Sequence, residues 1–248
     1  MLALSFPLFS CSSKQIPAFE SSLISGWKAF ERYDLIGAQG YFEDALAEAT
    51  VLQLPKAQGE ALAGLSLVLL LQHMPTWKKY FLSSLKFIAR GGYDPFSVSV
   101  VVLVAAEAGK DEIPVSQGEL ASFVEKMPDG DLKTLTEARL KRAFGKYREA
   151  LVLLDSLESH IEDGSDYLKE SAYREKSKIY SAMLGIEGTN TTEVESLKKL
   201  ALDYARKALK IASRLKSRYR VIENLLLLYD LTGEEAYRDQ LKWLGVDL

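Results

Sequence analysis

The fold is decided by residues 138–157, which read Ala138-Arg-Leu-Lys-Arg-Ala-Phe-Gly-Lys-Tyr-Arg-Glu-Ala-Leu-Val-Leu-Leu-Asp-Ser-Leu157. Gly145 and Lys146 interrupt two runs of helical apolar periodicity, so this stretch predicts a tight turn between two helices. In the second run Tyr147, Ala150, Leu154 and Leu157 fall on one face, at i, i+3, i+7 and i+10. Ala150 carries the most information. A small side chain there lets two helices approach closely, while Tyr147 and Leu154 fill the space around it.

Outward from that hairpin the same grammar recurs. Phe19, Leu23, Trp27 and Phe30 space a first helix over Pro17 to Arg32, and Leu35, Ala38, Phe42 and Ala45 a second, with Asp34 as its N-cap. Gly26 puts a small residue on the first helix. A third helix is expected from Lys56 to about Met74, with Ala61, Gly64 and Leu67 on its packing face. A fourth runs from Trp77 to Arg90, opened by Pro75-Thr76 and closed by Gly91-Gly92. Phe96 to Ala108 is rich in valine, so a buried strand competes there. The Asp94-Pro95 capping pair, the Ala-Ala-Glu-Ala end and Gly109 point instead to a helix buried on most sides. Ser116 and Glu119 form a capping box for a short helix ending near Lys126. Beyond the central hairpin come a long helix over Asp166 to Leu184, a loop to Thr192, and a helix with the small-residue stripe Ala201, Ala205, Ala208. A helix holding Ile222, Leu225 and Tyr229 follows, turned by Gly233. A last helix, Glu234 to Leu244, is expected to cover the open end of the core with Trp243.

The pattern Gly-x-Tyr-x-x-Ala-x-x-x-Leu-x-x-Leu over residues 145–157 resembles the middle of a tetratricopeptide repeat, a helix–turn–helix unit of about 34 residues. Similar residues occur in the N-terminal pair and again from Leu132 onward, whereas Lys56 to Lys126 shows only helical periodicity. The resemblance implies an all-α fold: about six antiparallel helix pairs stacked as a right-handed solenoid over residues 17–248. In that family the first helix of each pair lines a concave groove that holds a partner segment. Carried onto this chain, the groove face comprises Trp27, Phe30, Arg139, Arg142, Arg174, Lys178 and Arg220. Such a face would suit an extended protein segment bearing carboxylates, which arginine grips bidentately. The plainer reading makes the aromatics core residues and the basic side chains a solvated surface.

Composition agrees with a folded chain: 48% of residues are hydrophobic and 26% charged, unlike disordered sequences. The net charge of -3 gives no reason to expect nucleic acid, even with the basic run from Arg206 to Arg220. The lone cysteine, Cys11, excludes an intramolecular disulfide framework. Leu8-Phe9-Ser10-Cys11 after an apolar start resembles the lipobox of a bacterial lipoprotein signal. That resemblance implies a lipid on Cys11, residues 1–16 as signal and tether, and a place at the periplasmic face of a membrane, the outer membrane by preference. The apolar run is short and has no Lys or Arg before it, which a start codon assigned too late would explain. The alternative is a cytoplasmic adaptor in which Cys11 is incidental.

No catalytic pattern stands out. His73 and His160 lie far apart, without neighbours at metal-ligand spacing. The adjacent pairs Glu43-Asp44, Asp111-Glu112 and Glu234-Glu235 read as solvated charge rather than acid–base machinery. No phosphate loop or nucleophile elbow is present. The expectation is therefore a non-enzymatic scaffold without cofactor, acting on a protein partner. A role as accessory platform of a cell-wall enzyme is the remaining alternative.

Overall fold

The computed structural model describes residues 17–161, 165–186, 191–246 and 248. The lipobox-like stretch ending at Cys11 lies outside them. Twelve α-helices, with one 3-10 turn at Lys110–Glu112, account for the regular structure of the described residues. They are α1 (Ala18–Glu31), α2 (Leu35–Val51), α3 (Pro55–Leu71), α4 (Trp77–Ala89), α5 (Pro95–Ala108) and α6 (Gln117–Val124). Then follow α7 (Asp131–Ala143), α8 (Tyr147–His160), α9 (Asp166–Leu184), α10 (Thr191–Leu215), α11 (Arg218–Thr232) and α12 (Glu235–Trp243).

Local chemistry explains why these segments are helices and where they stop. Asp34, Asp94, Ser116 and Ser217 each accept a backbone N–H three residues on, satisfying an otherwise orphaned donor of the first turn. The valine-rich segment is helix α5, buried along almost its whole length. Its Asp94 cap and Pro95 start, with burial on every side, override the β propensity of its side chains. Gly145 turns α7 into α8 at φ +75, and Lys146 N–H closes the turn on Lys141 C=O at 2.8 Å. Three earlier turns use Tyr33, Gln53 and His73 in the same left-handed conformation, at φ 60, 54 and 56. A side chain there costs about 1–2 kcal/mol, which glycine avoids. Gln53 is exposed. Gln53→Gly should therefore raise stability by about 0.5–1 kcal/mol, once glycine's greater unfolded-state entropy is counted, as a urea midpoint would show.

The helices pack as consecutive antiparallel pairs, each on the next. The middle of the chain continues the stack, although its third pair is lopsided, with α6 only eight residues long. Small residues set the spacing: Ala38, Ala45, Ala150, Ala201, Ala205 and Ala208 are all fully buried. A phenylalanine at Ala150 should cost about 1–3 kcal/mol by overpacking, read as a lowered thermal midpoint. A tight interhelical site surrounds Phe42. Its ring lies between the helices carrying Gly26 and Gly64, and a Cβ on either glycine would meet it at 2.7 Å.

The odd-numbered helices form the inner layer. Each touches the next, and α11 returns to α1. Phe30 and Tyr219 meet there with ring centroids 4.4 Å apart, and the Ser217 hydroxyl donates to Glu31. The concave side is thus a lumen enclosed by six helices rather than an open groove. A second expectation fails at the other end. Trp243 does not cover the core but is 86% exposed. Leu241, two residues earlier and so about 200° around the helix, points inward instead and is fully buried.

Candidate functional site

All seven residues that the sequence places on the inner face converge on this lumen, which has two layers. The upper layer is a cavity of about 340 Å³ between α1, α3, α5, α7, α9 and α11. Trp27, Phe30, Arg139, Arg174 and Arg220 line it, with Leu67, Val100, Leu103 and Leu135 among its apolar walls. Its rim holds Phe96, Leu132 and Tyr167, which are 44%, 36% and 48% exposed although apolar. These three stand in the first turns of α5, α7 and α9, so the cavity opens where those helices begin.

The second layer is ionic and contains Arg142 and Lys178. Arg139 Nε donates to Glu175 Oε1 at 3.0 Å, and Arg142 Nε to Glu175 Oε2 at 2.6 Å. Arg142 also reaches Glu107 at 2.9 Å and the Ala106 carbonyl at 3.0 Å. Lys178 bridges Glu107 at 2.6 Å and Glu223 at 3.0 Å. Nearer the cavity, Glu170 pairs with Arg174 at 3.4 Å and with Arg220, which also approaches Glu31 at 3.5 Å. The five cations expected to await an acidic partner are therefore matched by five carboxylates of the same chain. Helical spacing carried the signal: Glu170 stands four residues before Arg174, and Glu223 three after Arg220, on the same faces.

The carboxylates respond to this setting. Burial alone would raise the Glu107 pKa, but Lys178 and Arg142 outweigh it and hold the group well below the usual carboxylate range. Glu175 is likewise lowered, against its burial, by Arg142 and Arg139, and Glu170 by Arg174 and Arg220. Groups with lowered folded-state pKa values stabilise the fold fully above the unfolded value, near 4.5. That contribution is lost as the pH falls from there through the lowered values. Thermal midpoints measured across this acid range should fall steadily, and less steeply in Glu107→Gln.

Three buried polar atoms around the lumen lack a hydrogen-bond partner: Arg174 Nη1, Arg220 Nε and Asn224 Oδ1. Both guanidinium groups lie over aromatic rings, Arg174 over Tyr219 at 5.4 Å and Arg220 over Tyr167 at 5.0 Å. Trp27 donates its indole N–H to Glu60 at 3.0 Å and packs edge-on against Phe42 and Phe96.

The basic run from Arg206 to Arg220 does not make one surface. Arg220 turns into the lumen, and Arg218 donates to the Leu244 carbonyl at the end of α12. Lys207 lies over the rings of Tyr173 and Tyr204 on the outer layer. Of the histidines, His73 is exposed in its turn, and His160 Nδ1 lies 2.7 Å from the Ser156 carbonyl. No protein-family model matches this chain, and no curated protein shows significant similarity to it.

Proposed function

We propose that the protein is a non-enzymatic, tetratricopeptide-like scaffold, anchored through a lipid on Cys11 at the periplasmic face of a bacterial membrane. It engages a protein partner at the mouth of its lumen. The observation that carries this reading is the trio Phe96, Leu132 and Tyr167. Three large side chains, well exposed although each could bury its ring or branched end, cluster around one opening, and such clusters mark interaction sites. Because the cations below are already paired, the partner's contact is with this rim rather than with a free basic floor. An extended segment with an apolar side chain to insert suits that surface.

Crosslinking in the native cell, followed by mass spectrometry of what accompanies the protein, tests this. A recurrent partner should be lost from Phe96→Asp combined with Tyr167→Asp, while the helical content of the variant stays intact. A partner retained by that variant, or none at all, overturns the reading. Membrane fractionation checks the anchor separately: wild type should sediment with membranes and Cys11→Ala should not.

A further inference from the structure

We propose that the cavity is a binding site for a small monocarboxylic acid with an apolar body, a ligand distinct from the protein partner at the rim. Arg174 carries the argument. It is only 2% exposed, it lines the cavity, and its Nη1 has no hydrogen-bond partner. A buried guanidinium donor left unsatisfied is costly, and a carboxylate oxygen is the acceptor that best completes it. Arg220 Nε, also unpartnered, belongs to a second cavity-lining guanidinium. The Ser171 hydroxyl already accepts from Arg220 at 3.0 Å, which keeps that group beside the cavity.

The rest of the cavity is graded away from this polar end. Tyr219 lies under Arg174, Phe30 against Tyr219, Trp27 against Phe30, and Phe96 against Trp27. A file of rings thus runs from the guanidinium to the rim, giving an apolar body a wall to lie along. The volume of about 340 Å³ falls at the small end of ligand cavities, which span roughly 300–1,000 Å³. The lumen's five cations are already balanced by Glu31, Glu107, Glu170, Glu175 and Glu223. Two cavity-lining guanidinium groups with unfilled hydrogen-bonding capacity then accommodate a single negative charge, whereas a phosphate dianion would meet a larger desolvation penalty. The N-terminal ends of α5, α7, α9 and α11 also supply cavity-lining residues, and their positive dipole ends outnumber the one negative end, the last turn of α1, that lines it.

Calorimetric titration of the full chain carrying Cys11→Ala, purified without detergent, tests this with octanoate as probe and octanol as its neutral counterpart. Octanoate should bind saturably and at least about tenfold more tightly than octanol. Arg174→Gln should remove that preference while leaving octanol binding unchanged. Because Arg174→Gln also disturbs the Glu170 pair, Val100→Phe gives a second route. It fills the cavity from an apolar wall and should abolish binding of both probes without lowering the thermal midpoint. Equal affinity for the two probes, or no binding of octanoate, overturns the proposal. So does retention of octanoate binding in Val100→Phe. A peptide with a free, apolar C-terminus that displaces octanoate and binds more tightly would assign the cavity to a protein terminus instead, and the small-acid site would fall. None of these outcomes depends on the crosslinking result at the rim.

Discussion

Phe42→Ala is expected to lower the free energy of unfolding by about 3–5 kcal/mol, among the largest losses any single apolar truncation should cause here. The ring is fully buried, and its edges face Gly26 on α1 and Gly64 on α3 so closely that neither position can carry even a methyl group without displacing it. Removing it leaves a void bounded by three closely packed helices, so little collapse can refill the space. The reverse experiment probes the same contact. Gly64→Ala should cost about 1–3 kcal/mol in the wild-type background, because the methyl and the ring compete for one volume. In a Phe42→Leu background the same change should cost much less, since the shorter side chain makes room. Urea unfolding of the two singles and the double variant closes a cycle. Strict additivity would show that the glycines are not there for the ring.

The second large effect is electrostatic. Glu175→Ala should destabilise by about 3–5 kcal/mol, because Arg139 and Arg142 would both lose a carboxylate in a buried setting. The value does not measure how much the ion pairs stabilise the fold. Most of it is the penalty of stranding two guanidinium groups away from water. Replacing Glu175 and Arg139 together with methionine should therefore recover much of the loss, Arg142 keeping Glu107 at 2.9 Å. Chemical denaturation of the single and double variants distinguishes the two accounts. A double variant as unstable as the single would mean that the pair itself holds the inner helices in register.

Much of this architecture is written locally. Gly145 at a left-handed turn, Asp34 and Ser116 at helix starts, and the fully buried Ala150 and Ala205 can each be read from a few neighbouring letters. The left-handed turns at Tyr33, Gln53 and His73 could not be read that way. Tyr33 and Gln53 do not favour the conformation, and it is imposed by the packing of the helices on either side. Trp243 misled because large apolar residues usually find cover, and the face it occupies is decided by Leu241. The inner-face residues were legible because they share a helical face with their neighbours. Their partners were less so. Glu107 meets Lys178 across 71 residues of chain, and only the curvature of the whole stack brings them together. The same long-range closure turns an open groove into a lumen and pairs the cations that sequence alone would leave free.

The return of α11 to α1 also bears on how the chain is made. Glu31 waits for Ser217, 186 residues later, and Phe30 for Tyr219. A stack of helix pairs can form progressively from the N-terminus, each pair folding against the last. The Phe30 end of its inner aromatic wall nevertheless stays uncovered until nearly nine-tenths of the polypeptide has left the ribosome. The nascent protein thus spends most of its synthesis with Phe30 lacking its Tyr219 cover, and closure of α11 on α1 comes late. A chain ending before α11 would keep its early pairs yet display that wall permanently, as a sticky surface for chaperones and for other unfinished copies.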